Sequence, residues 1–342
     1  MSRRRFSTAG LSPGYFAGVM GTGIISIGAT LNGYDLLATI LLWCAVVFYV
    51  VLIVLNTHRF FAHRDRFLAD LSDPSRAFGY FTFIAATDVI STALLSTVYA
   101  EAVIVLLGVS IVAWLALGYG IPWLAMLGSG HRRTLQGANG SWFVWVVASQ
   151  SIAIVASGLE SVYLQFRPAL AIIAVMAWAI GIVLYVACAI FVTLRVMLYG
   201  LKPSELDPTY WVTMGALAIT VVAGSHIVEM QDAPMVAATR GLIAGMSVIF
   251  WSFATWLLPV LVAAGFWRHR RHRVPLRYEP GLWSVVFPVG MYAVASVSLG
   301  RADAIPFLDT IGSTWYWLAL VVWAAVAVAM IVHLCRGAAR RG

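Results

Sequence analysis

Asp88 is the residue whose chemistry is least expected where it stands. It lies deep in the apolar stretch that follows Arg76, surrounded along the chain by hydroxyls: Thr82, Thr87, Ser91 and Thr92. A carboxyl in such surroundings is either protonated or satisfied by hydroxyl partners such as Thr87, Ser91 or Thr92. Two roles follow: a protonation site that couples proton movement to the movement of another ion, or a neutral, hydrogen-bonded contact. A second feature is Phe287-Pro288. The proline removes an N–H donor and frees the carbonyl of Ser284, so a helix running through it kinks there. A kink aims one bulky ring inward, and an aromatic ring across a narrow, weakly polar corridor blocks ions by excluding water. The alternative for Phe287 is an ordinary core phenylalanine in a chain that has 17. A third feature is Gly21-Thr22-Gly23, a weak point for any helix that contains it. Thr87, Thr92, Gln150 and Thr220 add hydroxyl and amide groups that can solvate an anion without a fixed cation.

Catalysis needs convergent groups such as paired carboxylates or a base-oriented nucleophile, and none is visible, so no enzyme is expected. A haem needs axial ligands at membrane depth, whereas His58, His226 and His333 fall near the ends of apolar runs. Cys44, Cys188 and Cys335 make neither a disulfide framework nor a metal spacing. In Arg268-His269-Arg270-Arg271-His272-Arg273 the arginines oppose metal binding by the histidines and fit a loop touching lipid headgroups. No metal, cofactor or nucleic-acid partner is expected.

The elements that carry these residues must sit in a bilayer. Of 342 residues, 61% are hydrophobic and 11% charged, with a mean hydropathy of +0.89; a soluble domain carries roughly 25% charged residues. Ten apolar runs, each near the ~20 residues that a spanning helix needs, lie at 13–31, 36–56, 76–97, 101–127, 140–158, 168–196, 208–228, 236–266, 281–300 and 312–334. Arg3, Arg4 and Arg5 precede the first, but its glycines and length favour a retained helix over a cleaved signal. The net charge of +8 is distributed by loop: of 22 Lys and Arg, only Arg167, Arg240 and Arg301 fall on one side. That asymmetry supports ten spans, places both termini in the cytoplasm and treats 1–342 as one transmembrane transport domain of the cell membrane. Residues 59–71 read as a short interfacial helix.

The runs alternate in polarity. The odd ones are rich in Gly, Ser and Thr, and the even ones are plain, apart from some hydroxyls in the eighth. Helices that face lipid all round are featureless, while helices that face one another or water carry small and polar residues. The expectation is an all-α, polytopic protein of five hairpins, with the odd members inside around a central pore. The alternative is that Ser, Thr and Gly serve close helix contacts with no pathway.

The stretches Gly18-Val19-Met20-Gly21-Thr22-Gly23-Ile24, Asn139-Gly140-Ser141-Trp142-Phe143 through Ser149-Gln150-Ser151, and Trp283-Ser284-Val285-Val286-Phe287-Pro288-Val289-Gly290 resemble the tellurite-resistance/C4-dicarboxylate transporter family. That family includes fungal malate permeases, sulfite efflux pumps and plant slow anion channels. The resemblance implies homotrimers with one pore per protomer, lined by five inner helices in quasi-five-fold hairpins. It implies transport of small anions such as chloride, nitrate, sulfite or C4-dicarboxylates, and a phenylalanine that closes the pore, here Phe287. Asp88 is a departure, since the family's channel members are usually uncharged there. It keeps a proton-coupled dicarboxylate symporter in play beside a passive channel.

Overall fold

A computed structural model describes residues 8–97, 99–124, 134–231 and 233–339. The described residues hold twelve α-helices and no strand: α1 (Ala17–Leu31), α2 (Asp35–Ala62), α3 (Arg64–Ser72), α4 (Phe81–Leu94), α5 (Ala100–Pro122), α6 (Thr134–Gly137), α7 (Phe143–Glu160), α8 (Arg167–Tyr199), α9 (Val212–Glu229), α10 (Pro234–Phe266), α11 (Trp283–Ala302) and α12 (Pro306–Ala339). Ten, all but α3 and α6, are long and apolar enough to cross a membrane once their leading turns are counted. The protein is an all-α polytopic membrane protein. The short helix read over 59–71 is α3, and α2 runs on to Ala62 to meet it.

The helices divide into two classes. The spans containing α1, α4, α7, α9 and α11 are 72–89% buried, whereas α2, α5, α8, α10 and α12 are 11–39% buried. The buried five form a closed ring in the order α1, α4, α7, α9, α11 and back to α1. Each outer helix lies against its own hairpin partner and against the next inner helix, so α2 bridges α1 and α4, and α12 bridges α11 and α1. Five hairpins around one axis are therefore present, with the odd members inside.

Each inner helix is preceded by a 3-10 turn: Pro13–Phe16, Ala77–Tyr80, Gly140–Trp142, Pro208–Trp211 and Pro280–Leu282. Proline opens three of them, where its missing N–H is no loss. Asn139 and Asp207 accept hydrogen bonds from the backbone N–H of Ser141 and Thr209, each at 2.8 Å. These turns touch one another in the same cyclic order and close the end of the bundle that we call lower. There the backbones nearly merge: a Cβ on Gly140 would stand 2.3 Å from the main chain of Thr209.

One sequence expectation is corrected here. Gly21-Thr22-Gly23 does not interrupt α1, which stays helical from Ala17 to Leu31. Its glycines are instead sites of close approach, where added Cβ atoms would stand 3.1 Å from Val286 and 2.5 Å from Val89. Pro288 sits within α11, which runs from Trp283 to Ala302, and fits against Gly215 of α9.

Candidate functional site: an axial cavity closed on one side

The five inner helices enclose a cavity of about 200 Å³ in the upper half of the bundle. Its rim is set by Leu31, Ser96, His226 and Ser298, near the C-terminal ends of four inner helices, and its floor by Ile24, Asp88, Ser151 and Met291. Asp88 and His226 are the two titratable side chains among its lining. Thr92 lines it one turn above Asp88, with its hydroxyl donating to the carbonyl of Asp88 at 2.8 Å.

Asp88 is fully buried. Its Oδ2 lies 2.7 Å from Ser151 Oγ of α7, and that hydroxyl also lies 2.9 Å from the carbonyl of Ala148. Asp88 Oδ1 has no hydrogen-bond partner, and neither does the buried Ser110 Oγ of α5, which faces the same carboxyl. Ser151 has one proton to give, shared between Asp88 and the Ala148 carbonyl, and Ser110 is the second hydroxyl that faces the carboxyl.

On α11 the cavity is lined by Met291, Val294 and Ser298. Phe287 lies one turn earlier on that face, at the i, i+4, i+7, i+11 spacing of one helical stripe. One turn below the lining on the other helices stand Met20, Ile84, Val147 and Gly215. All five are buried and none lines the cavity. The axis is thus hollow above, lined by apolar side chains with hydroxyls, Asp88 and His226 among them, while buried apolar side chains stand one turn below, Phe287 the largest.

Several polar residues expected on the pathway are turned away from it. Each outer helix places one ring donor near its middle and sends it to the next inner helix: Tyr49 OH to Thr87 Oγ1 (2.7 Å), Trp114 Nε1 to Ser149 Oγ (2.8 Å), Trp178 Nε1 to the carbonyl of Thr220 (3.1 Å), Trp251 Nε1 to Ser296 Oγ (2.9 Å) and Trp323 Nε1 to Thr22 Oγ1 (3.1 Å). Thr22 and Thr87 therefore face outer helices. Thr220 donates its hydroxyl to Ala216 of its own helix and also does not line the cavity. Gln150 reaches α8, donating to the carbonyl of Trp178 at 3.2 Å. The physical reason is shared: an indole, hydroxyl or amide donor inside a bilayer has no water to bond, so a hydroxyl or carbonyl of a facing helix or of its own helix is the available acceptor. The polarity alternation thus reports this five-fold belt as well as the axis.

A second repeat had escaped the sequence reading. The lower ring places an aromatic residue at the end of four leading turns, at Phe16, Tyr80, Trp142 and Trp211, and just after the fifth at Trp283, as in Pro-Gly-Tyr-Phe, Phe-Gly-Tyr-Phe and Pro-Gly-Leu-Trp. The signal was present as small or proline residues just ahead of aromatics at each odd run. Below the belt, arginines near the ends of outer helices are buried: Arg59, Arg195 and Arg268. Arg59 pairs with Asp70, which also holds Arg76 at 2.9 Å; Arg195 pairs with Glu205 at 3.0 Å. Hydrogen bonds from the Lys202 N–H and from Arg195 hold the Glu205 carboxyl below its usual range.

Charge is distributed along the axis in one direction. The N-termini of all five inner helices meet at the lower ring, so the positive ends of five helix dipoles converge there. Among the described residues that side also carries the basic loops, while Arg167, Arg240 and Arg301 stand above; Arg3–Arg5, Arg132, Arg133, Arg340 and Arg341 lie outside the described residues. Arg167 and Arg301 are tied to Glu160 and Asp309.

A ring of five inner helices with an axial cavity, sealed from lipid by five outer ones, defines a membrane transport protein. Residues 10–331 match the voltage-dependent anion channel family (SLAC1), and the chain belongs to it. An uncharacterized membrane protein of Mycobacterium tuberculosis is 56% identical over 159 residues, 46% of this chain and 81% of that one. An uncharacterized transporter of Methanocaldococcus jannaschii is 24% identical over 92% of this chain and 91% of its own. A sulfite efflux pump of Arthroderma benhamiae is 21% identical over 94% and 90% respectively. Family and relatives point to anion transport across a membrane and to transporters or channels rather than enzymes.

Proposed function

We propose that the chain passes small anions along the axis of its inner helices, with Phe287 and the apolar layer around it as the closed gate. The observation that carries this reading is a cavity bounded by all five inner helices that ends at Asp88 and Ser151, one turn above Phe287. Hydroxyls and apolar side chains line it, with no fixed cation, which suits weak binding and passage over tight capture. Sulfite, chloride, nitrate and C4-dicarboxylates are the substrates to compare, sulfite first because a full-length relative is a sulfite efflux pump. We further propose both termini cytoplasmic in the cell membrane, since the arginine-rich loops lie on the side of the chain ends, and a homotrimer on the family resemblance alone.

The test is flux into proteoliposomes across that anion panel. Selective, saturable uptake of one member supports the reading; no anion exceeding protein-free vesicles overturns it.

A second reading, a proton-coupled carrier, is favoured by Asp88 itself. Its acid form would carry one proton, which the unpartnered Oδ1 could hold toward Ser110 while Oδ2 goes on accepting from Ser151. The neutral carboxyl also avoids the ~2.5–3.5 kcal/mol or more of a charge at mid-membrane.

A further inference from the structure

Most hydroxyls on the axial cavity are already committed. Thr92 donates to the carbonyl of Asp88, Thr30 to that of Ser26 and Ser96 to that of Ala93, while Ser151 serves Asp88 and Ala148. Two polar side chains on the lining differ. His226 of α9 and Ser298 of α11 make no hydrogen bond among the described residues, and packing does not seal their polar atoms, both side chains being partly exposed on the cavity. A few uncommitted polar groups converging on an otherwise apolar cavity are what fixes a small ligand there. The two also stand level. His226 lies 14 residues past the start of α9 and Ser298 15 past the start of α11, its neighbour in the ring. Asp88 lies only 7 past the start of α4, about two turns lower.

The charged groups near that mouth are engaged or turned elsewhere. At the upper ends of α7, α8, α10 and α11, which pack against α9, Glu160 pairs with Arg167 at 3.0 Å, Arg240 donates to the carbonyls of Val228 and Met230, and Arg301 pairs with Asp309 at 3.2 Å. Glu229 follows His226 by three residues and Asp303 follows α11; none of these groups lines the cavity. His226 is the side chain of the lining that can bring a positive charge, because an imidazole gains a proton near neutral pH.

We propose, resting on the reading of the axis as an anion pathway, that His226 and Ser298 form its upper anion subsite, both donating to one small oxyanion, with the imidazolium form of His226 supplying the positive charge. An oxyanion suits the pair because separate oxygens accept from donors on two helices at once, and a charged donor makes the stronger bond.

The experiment measures nitrate uptake by the full-length protein in proteoliposomes, with equal pH on both sides, at about pH 5.5 and about pH 7.5. Nitrate stays a monoanion at both, so any pH effect belongs to the protein. The wild type is expected to show a lower KM at the lower pH. His226→Gln keeps an N–H donor but no charge; its KM should rise roughly tenfold at the lower pH and lose its pH dependence, with kcat little changed. Ser298→Ala should raise KM roughly fivefold at both pH values, the size of a neutral hydrogen bond. Neither side chain bonds within the protein, so both variants should melt as the wild type does. Uptake whose KM is unchanged in either variant, or whose pH dependence survives in His226→Gln, overturns the subsite and leaves anion passage standing. If the wild type takes up no nitrate, passage fails, and binding is read from the melting temperature in detergent against nitrate at constant ionic strength. A nitrate-dependent rise that both variants lose then supports the subsite; no rise overturns it as well.

Discussion

The upper and lower halves of the inner bundle are built from the same five helices, yet one is hollow and the other closed. In the upper half the inner helices present Thr92, Ser151, Val222, Val294 and similar side chains to a shared cavity. Glycine lets inner helices approach in both halves, Gly23 to Val89 and Gly290 to Ile24 beside the cavity, but the lower ring also brings main chain against main chain. There Gly21 meets Val286 and Trp283, Gly215 meets Pro288, and Gly140 meets the backbone of Thr209. On the proposed reading, the difference teaches that one layer of apolar side chains is enough for closure, with no charge needed. A dry constriction stops an ion because the ion would shed its hydration there without replacement.

The comparison is broken most severely at the lower ring. Gly140→Ala puts a methyl 2.3 Å from main-chain atoms of Thr209 that have no side chain to swing away. A loss of about 3 kcal/mol or more is expected, at the upper end for overpacking, read as a lowered melting temperature in detergent. A stable variant would mean the ring is looser than described.

Phe287→Ala attacks the closure directly. If the ring closes the axis, anion flux should rise roughly tenfold, about 1.4 kcal/mol off the barrier, with stability little changed. If it is core instead, the variant loses ~3–5 kcal/mol to a cavity and conducts no better. Measuring conductance and melting temperature on the same preparation separates the two.

Asp88→Asn sharpens the boundary between the halves. The amide keeps the shape and can still hydrogen-bond Ser151, so folding should survive. Uptake driven by a pH gradient should disappear while exchange without a gradient persists. A well-folded variant whose uptake still follows the gradient would leave Asp88 as a neutral contact residue.

The smallest effect is expected at the belt that surrounds both halves. Trp251→Phe removes the indole N–H that reaches Ser296 and should cost about 0.6 kcal/mol, the usual size of an interhelical hydrogen bond in a membrane protein. Combining it with Ser296→Ala tests this: the two losses should overlap rather than add.

Hydropathy and arginine placement along the chain were sufficient for ten spans, because a bilayer imposes length and apolarity on each helix separately. The polarity alternation was likewise enough to sort inner from outer helices, since lipid-facing surfaces must be plain. Asp88 and Thr92 were legible as site residues, and both line the cavity. Tertiary structure alone decided which way each polar residue turned. Thr22, Thr87 and Gln150 look from the sequence no different from Thr92, but a tryptophan, tyrosine or outer-helix carbonyl 28–301 residues away claims them. The same holds for the glycines of α1, which in isolation weaken a helix but here let Val286 and Val89 approach. A helix's composition fixes that it will cross the membrane. Its rotation about its own axis depends on neighbours distant in sequence, so the line between belt and pathway belongs to the assembled ring.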